Sequence, residues 1–313
     1  MSFSLTRRGL LHAALGGAAF LGLRSTSGFA KTGSFTIRSA PLAEGLTLFE
    51  GAGGNVVTLS GPDGVLMVDG GLAEASRQLQ RAVADQTGGS PVRLLFNTHW
   101  HWDHTGSNES LAAAGAKILA HENTRLWLGT EIISKWENRT YPRRPEQALP
   151  TETFHYDSKR IDFGGRQIEY GYLMQAHTDG DIYVHFPDQN VIVAGDVVAT
   201  GSYPILDYST GGWLGGMIDA LKVLIDKCDG ETRIVPGKGP PVTRAALEAQ
   251  REMCLTVYER IGESYYRGET WEELVASRPT REFDETWGDP AVFLHTAYEG
   301  AWGHITELRR PRR

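Results

Sequence analysis

Residues 99–104 constrain this chain more than any other segment. They read HWHWDH and so place three imidazoles and one carboxylate within six positions. Imidazole nitrogen and carboxylate oxygen are both ligands for zinc and other first-row divalent metals. An apolar run typical of a strand precedes the segment at 92–96, and small, helix-forming residues follow it from 105 to 116. We therefore predict a metal site on a loop between a strand and a helix, where sites of α/β proteins commonly lie.

The HWHWDH segment resembles the His-x-His-x-Asp-His signature of the metallo-β-lactamase superfamily. Other elements of that family's pattern occur in the expected order, namely Asp69 in MVDGG, His177 in AHTDGD and Asp196 in VIVAGD. The resemblance extends from about Gly45 to Val242. It implies an α/β fold, a four-layer αββα sandwich in which helices flank two mixed β-sheets.

The resemblance also assigns the metal ligands, which are His99, His101, Asp103, His104, His177 and Asp196. The three histidines His99, His101 and His177 would hold one zinc ion, which lowers the pKa of a bound water from about 15.7 to about 7. The resulting hydroxide would attack a carbonyl of a small-molecule substrate, a β-lactam, lactone, ester or thioester. Asp103 would orient this nucleophile and receive its proton. Asp69 is expected to accept from a backbone group or a ligand histidine.

The last element of the pattern departs from the family, because PGKGP at 236–240 places Lys238 where the family has histidine. An ammonium has three donors and no free lone pair, so Lys238 ligates only if it loses its proton. Alternatively it pairs with Asp196 and Asp103 in place of a second metal, or it points to solvent without a role. We predict one tightly bound zinc, a weak or empty second site, and a catalytic Lys238 that polarises the carbonyl or stabilises the leaving group.

Two other functions fit the same residues. One is a mononuclear iron oxidoreductase similar to persulfide dioxygenases, in which His99, His177 and Asp196 hold the iron. The other is a degenerate metal-binding protein without catalysis, which only Lys238 favours. The clustered ligand-type residues argue against it, because unused histidines and aspartates are costly to bury unpaired.

Two loops are candidates for contact with the substrate. Tyr203 and Tyr208 follow Asp196 closely, and either hydroxyl is a candidate donor to an oxyanion or simply a packed aromatic residue. Residues 131–150 read as an irregular loop with an aromatic residue and two adjacent arginines, Arg143 and Arg144. These arginines either attract an anionic substrate or form a solvated surface.

Residues 1–30 read as a twin-arginine export signal. Arg7 and Arg8 precede an apolar segment that is too short to span a bilayer, and small residues precede Lys31. We expect cleavage before Lys31, the twin-arginine machinery as a partner, and a periplasmic or secreted mature protein.

The rest of the chain, residues 31–313, reads as a linker at 31–41 followed by one domain. Its last part, from about 243 to 313, is expected to be a helical, aromatic-rich extension. This extension packs on the domain or on a second subunit, so an oligomer is one of the two alternatives. The mature chain has no candidate membrane span. The formal net charge is −7 and no basic run precedes the last residues, which argues against nucleic-acid binding.

Overall fold

The computed structural model describes residues 35–308, so the predicted export signal lies outside the described residues. Within that range the chain forms the following strands: β1 (Arg38–Ala43), β2 (Leu46–Ala52), β3 (Gly54–Gly61), β4 (Gly64–Val68), β5 (Val92–Phe96), β6 (Lys117–His121), β7 (Ile132–Ser134), β8 (Arg139–Tyr141), β9 (Glu152–Phe154), β10 (Ser158–Phe163), β11 (Arg166–Tyr172), β12 (Ile182–Phe186), β13 (Val191–Gly195) and β14 (Arg233–Pro236).

The same range contains the following α-helices: α1 (Ser76–Thr87), α2 (Trp102–Thr105), α3 (Asn108–Ala113), α4 (Glu122–Leu128), α5 (Leu214–Lys227), α6 (Arg244–Arg267), α7 (Trp271–Ala276), α8 (Asp284–Trp287) and α9 (Ala291–Ala301). Four of them, α6 to α9, lie in the predicted helical extension. None of the helices in residues 35–308 has the length and apolar character of a bilayer-spanning segment.

The strands form two large mixed sheets and one hairpin. The first sheet has the order β1-β2-β3-β4-β5-β6-β9, and the second has the order β10-β11-β12-β13-β14. Strands β4, β5, β6 and β9 run parallel in the first sheet, as do β13 and β14 in the second. Strands β7 and β8 pair only with each other.

The two large sheets pack face to face around one apolar core. Val68 and Phe96 of the first sheet and Val184 and Val193 of the second belong to this core. Helix α1 covers the other face of the first sheet, and α5 and α6 cover that of the second. Because each sheet is apolar on both faces, four layers form. The predicted αββα sandwich is confirmed.

Two local predictions were wrong or incomplete. The expected linker at 31–41 contributes most of β1, whose first four residues are exposed and therefore show no apolar alternation. Strand β10 likewise shows no apolar alternation by which the sequence would predict it, since most of its residues are polar and exposed. The expected irregular loop at 131–150 contains the hairpin β7–β8.

Candidate metal centre

The predicted site residues lie at one edge of the sandwich, where several strands end. The loop after β5 carries His99 and His101, and helix α2 follows it at once. His177 lies in the loop after β11, Asp196 follows β13 directly, and Lys238 lies just beyond β14. Strand ends at one edge bring together side chains that are distant in the sequence, as in other α/β sites.

Four of the predicted ligands converge. One ligand atom from each of His99, His101, His177 and Asp196 lies within 4.8 Å of the others. The Nδ1 atom of His101 is 2.9 Å from Nε2 of His177, and the buried Nε2 of His99 has no hydrogen-bond partner among residues 35–308. A buried polar atom without a partner is costly unless a ligand satisfies it. The donor set therefore fits a zinc ion or another first-row divalent metal.

Burial keeps two of these imidazoles neutral. Burial, reinforced by His104 and the other imidazoles of the cluster, lowers the pKa of His99 well below its ordinary value. Burial and the neighbouring His101 lower the pKa of His177 to about 4. Only a neutral imidazole has a lone pair for a metal, so both side chains are in the ligating form at neutral pH.

Asp69 supports the HWHWDH segment through buried hydrogen bonds. The backbone N–H and the hydroxyl of Thr98 donate to its carboxylate at 2.7 and 2.8 Å, and Nδ1 of His104 is 2.8 Å from its Oδ2 atom. The carboxylate is fully buried, so these contacts fix the loop and one histidine at the same time. The prediction that Asp69 accepts from a backbone group or a ligand histidine is confirmed, and the structure shows both contacts.

The remaining predicted ligands, Asp103 and His104, form a second group of contacts with Asp196 and Lys238. Its Nζ atom is 2.7 Å from Oδ2 of Asp103 and 3.4 Å from Oδ2 of Asp196. The Nε2 atom of His104 is 3.2 Å from Oδ1 of Asp196 and 3.9 Å from Oδ2 of Asp103. The structure thus joins all four residues: the side chain of Lys238 is 58% exposed, yet its ammonium is paired with two carboxylates. A role for Lys238 in the reaction stays a prediction.

Opposite charges dominate this part of the site. Burial lowers the pKa of His104, but the carboxylates of Asp196, Asp69 and Asp103 outweigh it and raise that pKa well above its ordinary value. Partial burial likewise lowers the pKa of Lys238, and Asp196 and Asp103 raise it more strongly. Two carboxylates that face a cationic ammonium already have much of the charge compensation that a second divalent ion would provide.

A cavity of about 650 Å³ opens above the cluster, and His101, Asp103, His177, Asp196 and Lys238 line its floor. The hairpin β7–β8 forms one wall with Trp136, Arg139 and Tyr141, and Arg144 extends that wall. Of the two interpretations of residues 131–150, the one that places this segment beside the substrate is therefore favoured over a solvated surface. Of the two predicted arginines, Arg144 lines the cavity and Arg143 does not.

Comparison with known proteins agrees with this geometry. The sequence model of the metallo-beta-lactamase superfamily matches residues 50–246. The chain belongs to the metallo-beta-lactamase superfamily. The match includes the loops that carry all six predicted ligands and Lys238.

Three relatives illustrate the range of this superfamily. The chain is 30% identical to 2,4-dinitroanisole O-demethylase subunit alpha of Nocardioides sp., covering 50% of this chain and 46% of that protein. It is also 30% identical to acyl-coenzyme A thioesterase MBLAC2 of Bos taurus, over 50% of this chain and 59% of that one. A solved metallo-beta-lactamase from Pontibacter korlensis superposes with a TM-score of 0.57 at 18% identity, over 70% of this chain and 99% of the other. The chain spans about half the length of the two sequence relatives, and the structural likeness shows the fold alone.

The predicted oxyanion donor Tyr203 lines a small cavity beside Asp196 and Lys238, but its hydroxyl is bonded to other groups. Its hydroxyl donates to Oδ1 of Asp284 at 3.0 Å and to the carbonyl of Thr280 at 3.3 Å, and its ring stacks on Phe293. Burial and Asp284 raise the pKa of Tyr203. These contacts favour the packing role over the catalytic one. Tyr208 packs near His295 instead.

Two residues of the site carry no motif in the sequence. Asp207, which is fully buried, lies 3.2 Å through its Oδ2 atom from Nε2 of His101 and accepts from the indole of Trp136 at 3.2 Å. Asn55 donates through its side-chain amide to the carbonyls of Pro236 and Gly239, and so holds the turn of Lys238. Neither residue has a recognisable neighbour in the sequence, because its partners lie on other elements.

Proposed function

We propose that this protein is a zinc-dependent hydrolase that cleaves the carbonyl group of a thioester, ester, lactone or β-lactam. Thioesters and esters are the first substrates to test. The convergence of three imidazoles and one carboxylate within 4.8 Å, on the floor of an open cavity, carries this proposal. The superfamily supports it, as does the relative named an acyl-coenzyme A thioesterase. A metal bound there polarises a carbonyl and lowers the pKa of a water molecule.

The side chains around the metal centre have separate tasks. His99, His101, His177 and Asp196 would hold the metal. Asp103 accepts a proton from the attacking water, whose oxygen bonds to the carbonyl carbon, and the proton passes to the leaving group as its bond breaks. Lys238 lies 2.7 Å from Asp103 and faces the same cavity, so its positive charge stabilises the oxyanion or the leaving group.

We also propose that Lys238 restricts the site to one tightly bound metal. Its ammonium contacts the two carboxylates that a second metal would need. Mass spectrometry of protein purified without added metal tests this directly. We expect one zinc per chain for wild type and two for Lys238→His. Lys222→His, a change of an exposed lysine of α5, is the matched control and should stay at one.

The outcomes of this measurement separate the hypotheses. A Lys238→His variant that binds no more metal than wild type contradicts the proposed role of Lys238. Iron instead of zinc, together with consumption of oxygen, would favour the oxidoreductase. A metal-loaded protein that hydrolyses none of the four substrate classes would contradict the hydrolase and leave the protein as a metal-binding one.

Finally, we propose that the mature protein acts outside the cytoplasm. The adjacent Arg7 and Arg8 and the small residues before Lys31 support export by the twin-arginine route. Cell fractionation with mass analysis of the amino terminus tests this proposal. We expect periplasmic protein that begins at Lys31, and a loss of export in Arg7→Lys/Arg8→Lys. Wild type that stays uncleaved in the cytoplasm would contradict it.

A further inference from the structure

A second cavity adjoins the one above the metal centre. It has a volume of about 810 Å³ and lies between helices α1 and α3. Ala73 and Arg144 line both cavities, so the two meet at these residues. We call this second cavity the outer groove. A substrate that reaches from one cavity into the other passes Arg144.

The outer groove is cationic although the chain as a whole carries a formal charge of −7. Arg77 and Arg81 line it from α1, one helical turn apart, and Arg144 lines it where the cavities meet. Among the described residues, the lining of the outer groove contains one carboxylate, that of Glu109, whereas Arg144 also borders the carboxylates of the adjoining cavity. A concave surface with an excess of one charge attracts ligands of the opposite charge.

The guanidiniums of the outer groove have N–H donors without hydrogen-bond partners among the described residues. Arg77 and Arg81 make no ion pair or side-chain hydrogen bond with any described residue, whereas Arg260 pairs with Glu282 at 2.5 Å on another surface. Arg144 stacks over the ring of Trp102 at 5.2 Å, and its Nε atom is buried without a hydrogen-bond partner in the described part of the chain. Stacking uses the face of a guanidinium and leaves the N–H groups of its edge for an anion.

The floor of the groove is polar and already ordered. The side-chain amide of Gln80 donates to the hydroxyl of Ser110 at 2.7 Å and to that of Ser76 at 2.9 Å. This network connects α1 with α3 and keeps the groove open between them. Hydrogen-bonded polar side chains below unpaired arginines suit a hydrated, multiply charged ligand, although alanines also line the groove.

We propose that the outer groove binds the phosphorylated end of a leaving group whose ester or thioester carbonyl lies above the metal centre. The proposal rests on the proposed hydrolysis for the position of that carbonyl. Phosphate is favoured over a single carboxylate because three guanidiniums are spread along the groove, and each can donate two hydrogen bonds to phosphate oxygens.

Paired substrates test the proposal in the metal-loaded enzyme. The same acyl group is presented as a coenzyme A thioester, which carries phosphates, as a glutathione thioester, which carries carboxylates, and as a neutral N-acetylcysteamine thioester. For Arg77→Ala/Arg81→Ala we expect the ratio of kcat/KM for coenzyme A to that for the neutral thioester to fall about tenfold. Glu109→Gln, which removes the opposing carboxylate, should raise that ratio. Added salt should lower it in wild type.

The control variant is Arg93→Ala/Arg233→Ala. It removes two exposed arginines at the amino ends of β5 and β14, the ends opposite to the metal centre, and should leave the ratio as in wild type. An unchanged ratio in Arg77→Ala/Arg81→Ala overturns the proposal. A loss that affects the glutathione thioester but not the coenzyme A thioester overturns the assignment to phosphate.

A binding measurement separates this inference from the proposed function. Calorimetry with adenosine 3′,5′-bisphosphate needs no turnover. We expect wild type to bind it about tenfold more tightly than Arg77→Ala/Arg81→Ala. If that difference appears while no thioester is hydrolysed, the phosphate site in the outer groove is supported and the proposed hydrolase activity is contradicted. If thioesters are hydrolysed while the bisphosphate binds both proteins equally, the hydrolase activity is supported and the phosphate site in the outer groove is contradicted.

Discussion

At the scale of single residues, Asp207 controls how His101 faces the metal. Its Oδ2 atom is 3.2 Å from Nε2 of His101 and accepts from the hydroxyl of Thr210 at 2.6 Å. A proton held on Nε2 leaves Nδ1 of His101 as the ligand atom. We expect Asp207→Asn to weaken metal binding by about 10- to 100-fold, measured by competition with a chelator.

The matched control is Asp188→Asn, which changes an exposed aspartate after β12 and should bind metal like wild type. Thermal unfolding of both variants without metal shows whether Asp207→Asn merely unfolds the protein. An Asp207→Asn protein that is folded and keeps wild-type metal affinity would contradict the role of Asp207.

The sequence predicts the candidate metal ligands better than it predicts the residues that position them. His99 and His101 share one short motif, and the resemblance to the superfamily adds His177 and Asp196. The contact of Asp207 with His101 crosses 106 positions, and that of Asn55 with Pro236 crosses 181. No local pattern encodes such contacts, because they exist only after the sheets have packed.

At the scale of elements, Glu169 of β11 joins the second sheet to α5. Lys227 at the end of α5 donates to it at 2.5 Å, and Tyr183 and Arg160 donate at 2.8 and 3.1 Å. Burial raises the pKa of Glu169, but these hydrogen bonds outweigh it and hold the pKa at about 2. This network stabilises the folded state only while the carboxylate is ionised.

The lowered pKa of Glu169 determines how the stability of the folded protein depends on pH. Because it is lower in the folded than in the unfolded protein, the stabilisation is complete above about pH 4.5 and is lost as the pH falls towards 2. We expect Glu169→Gln to lower the free energy of unfolding by about 2 kcal/mol at pH 7, and the difference from wild type to shrink as the pH falls from 4.5 to about 2. Chemical denaturation of both proteins measures it. Glu248→Gln, in an exposed pair with Arg244, is the control, and a difference independent of pH would refute the prediction.

The elements also show where sequence patterns are weak. The sequence predicts β5 well because the strand is mostly apolar and ends in three buried residues. The hairpin β7–β8 was read as an irregular loop because each strand has three residues and mixed exposure. Its order comes from tertiary contacts, including the hydrogen bond of Trp136 to Asp207 at 3.2 Å.

At the scale of the whole molecule, the metal centre joins the two sheets of the sandwich. His99 and His101 follow β5 of the first sheet, while His177 and Asp196 follow β11 and β13 of the second. A bound ion would therefore add a crosslink between two halves of the chain that also meet through an apolar core and through hydrogen bonds such as that of Asn55 to Pro236. Such an ion stabilises the folded state, because the unfolded chain does not hold these ligands together.

Removal of the metal should therefore lower the melting temperature of the entire domain. An ion present at 100 times its Kd contributes about 2.7 kcal/mol, which corresponds to about 5–10 °C for a domain of this size. Calorimetry with and without a chelator measures this shift. The His177→Ala variant, which lacks a ligand, should melt near the temperature of chelated wild type and respond little to chelator. A wild-type melting temperature that the chelator does not change would mean that the metal does not bridge the sheets.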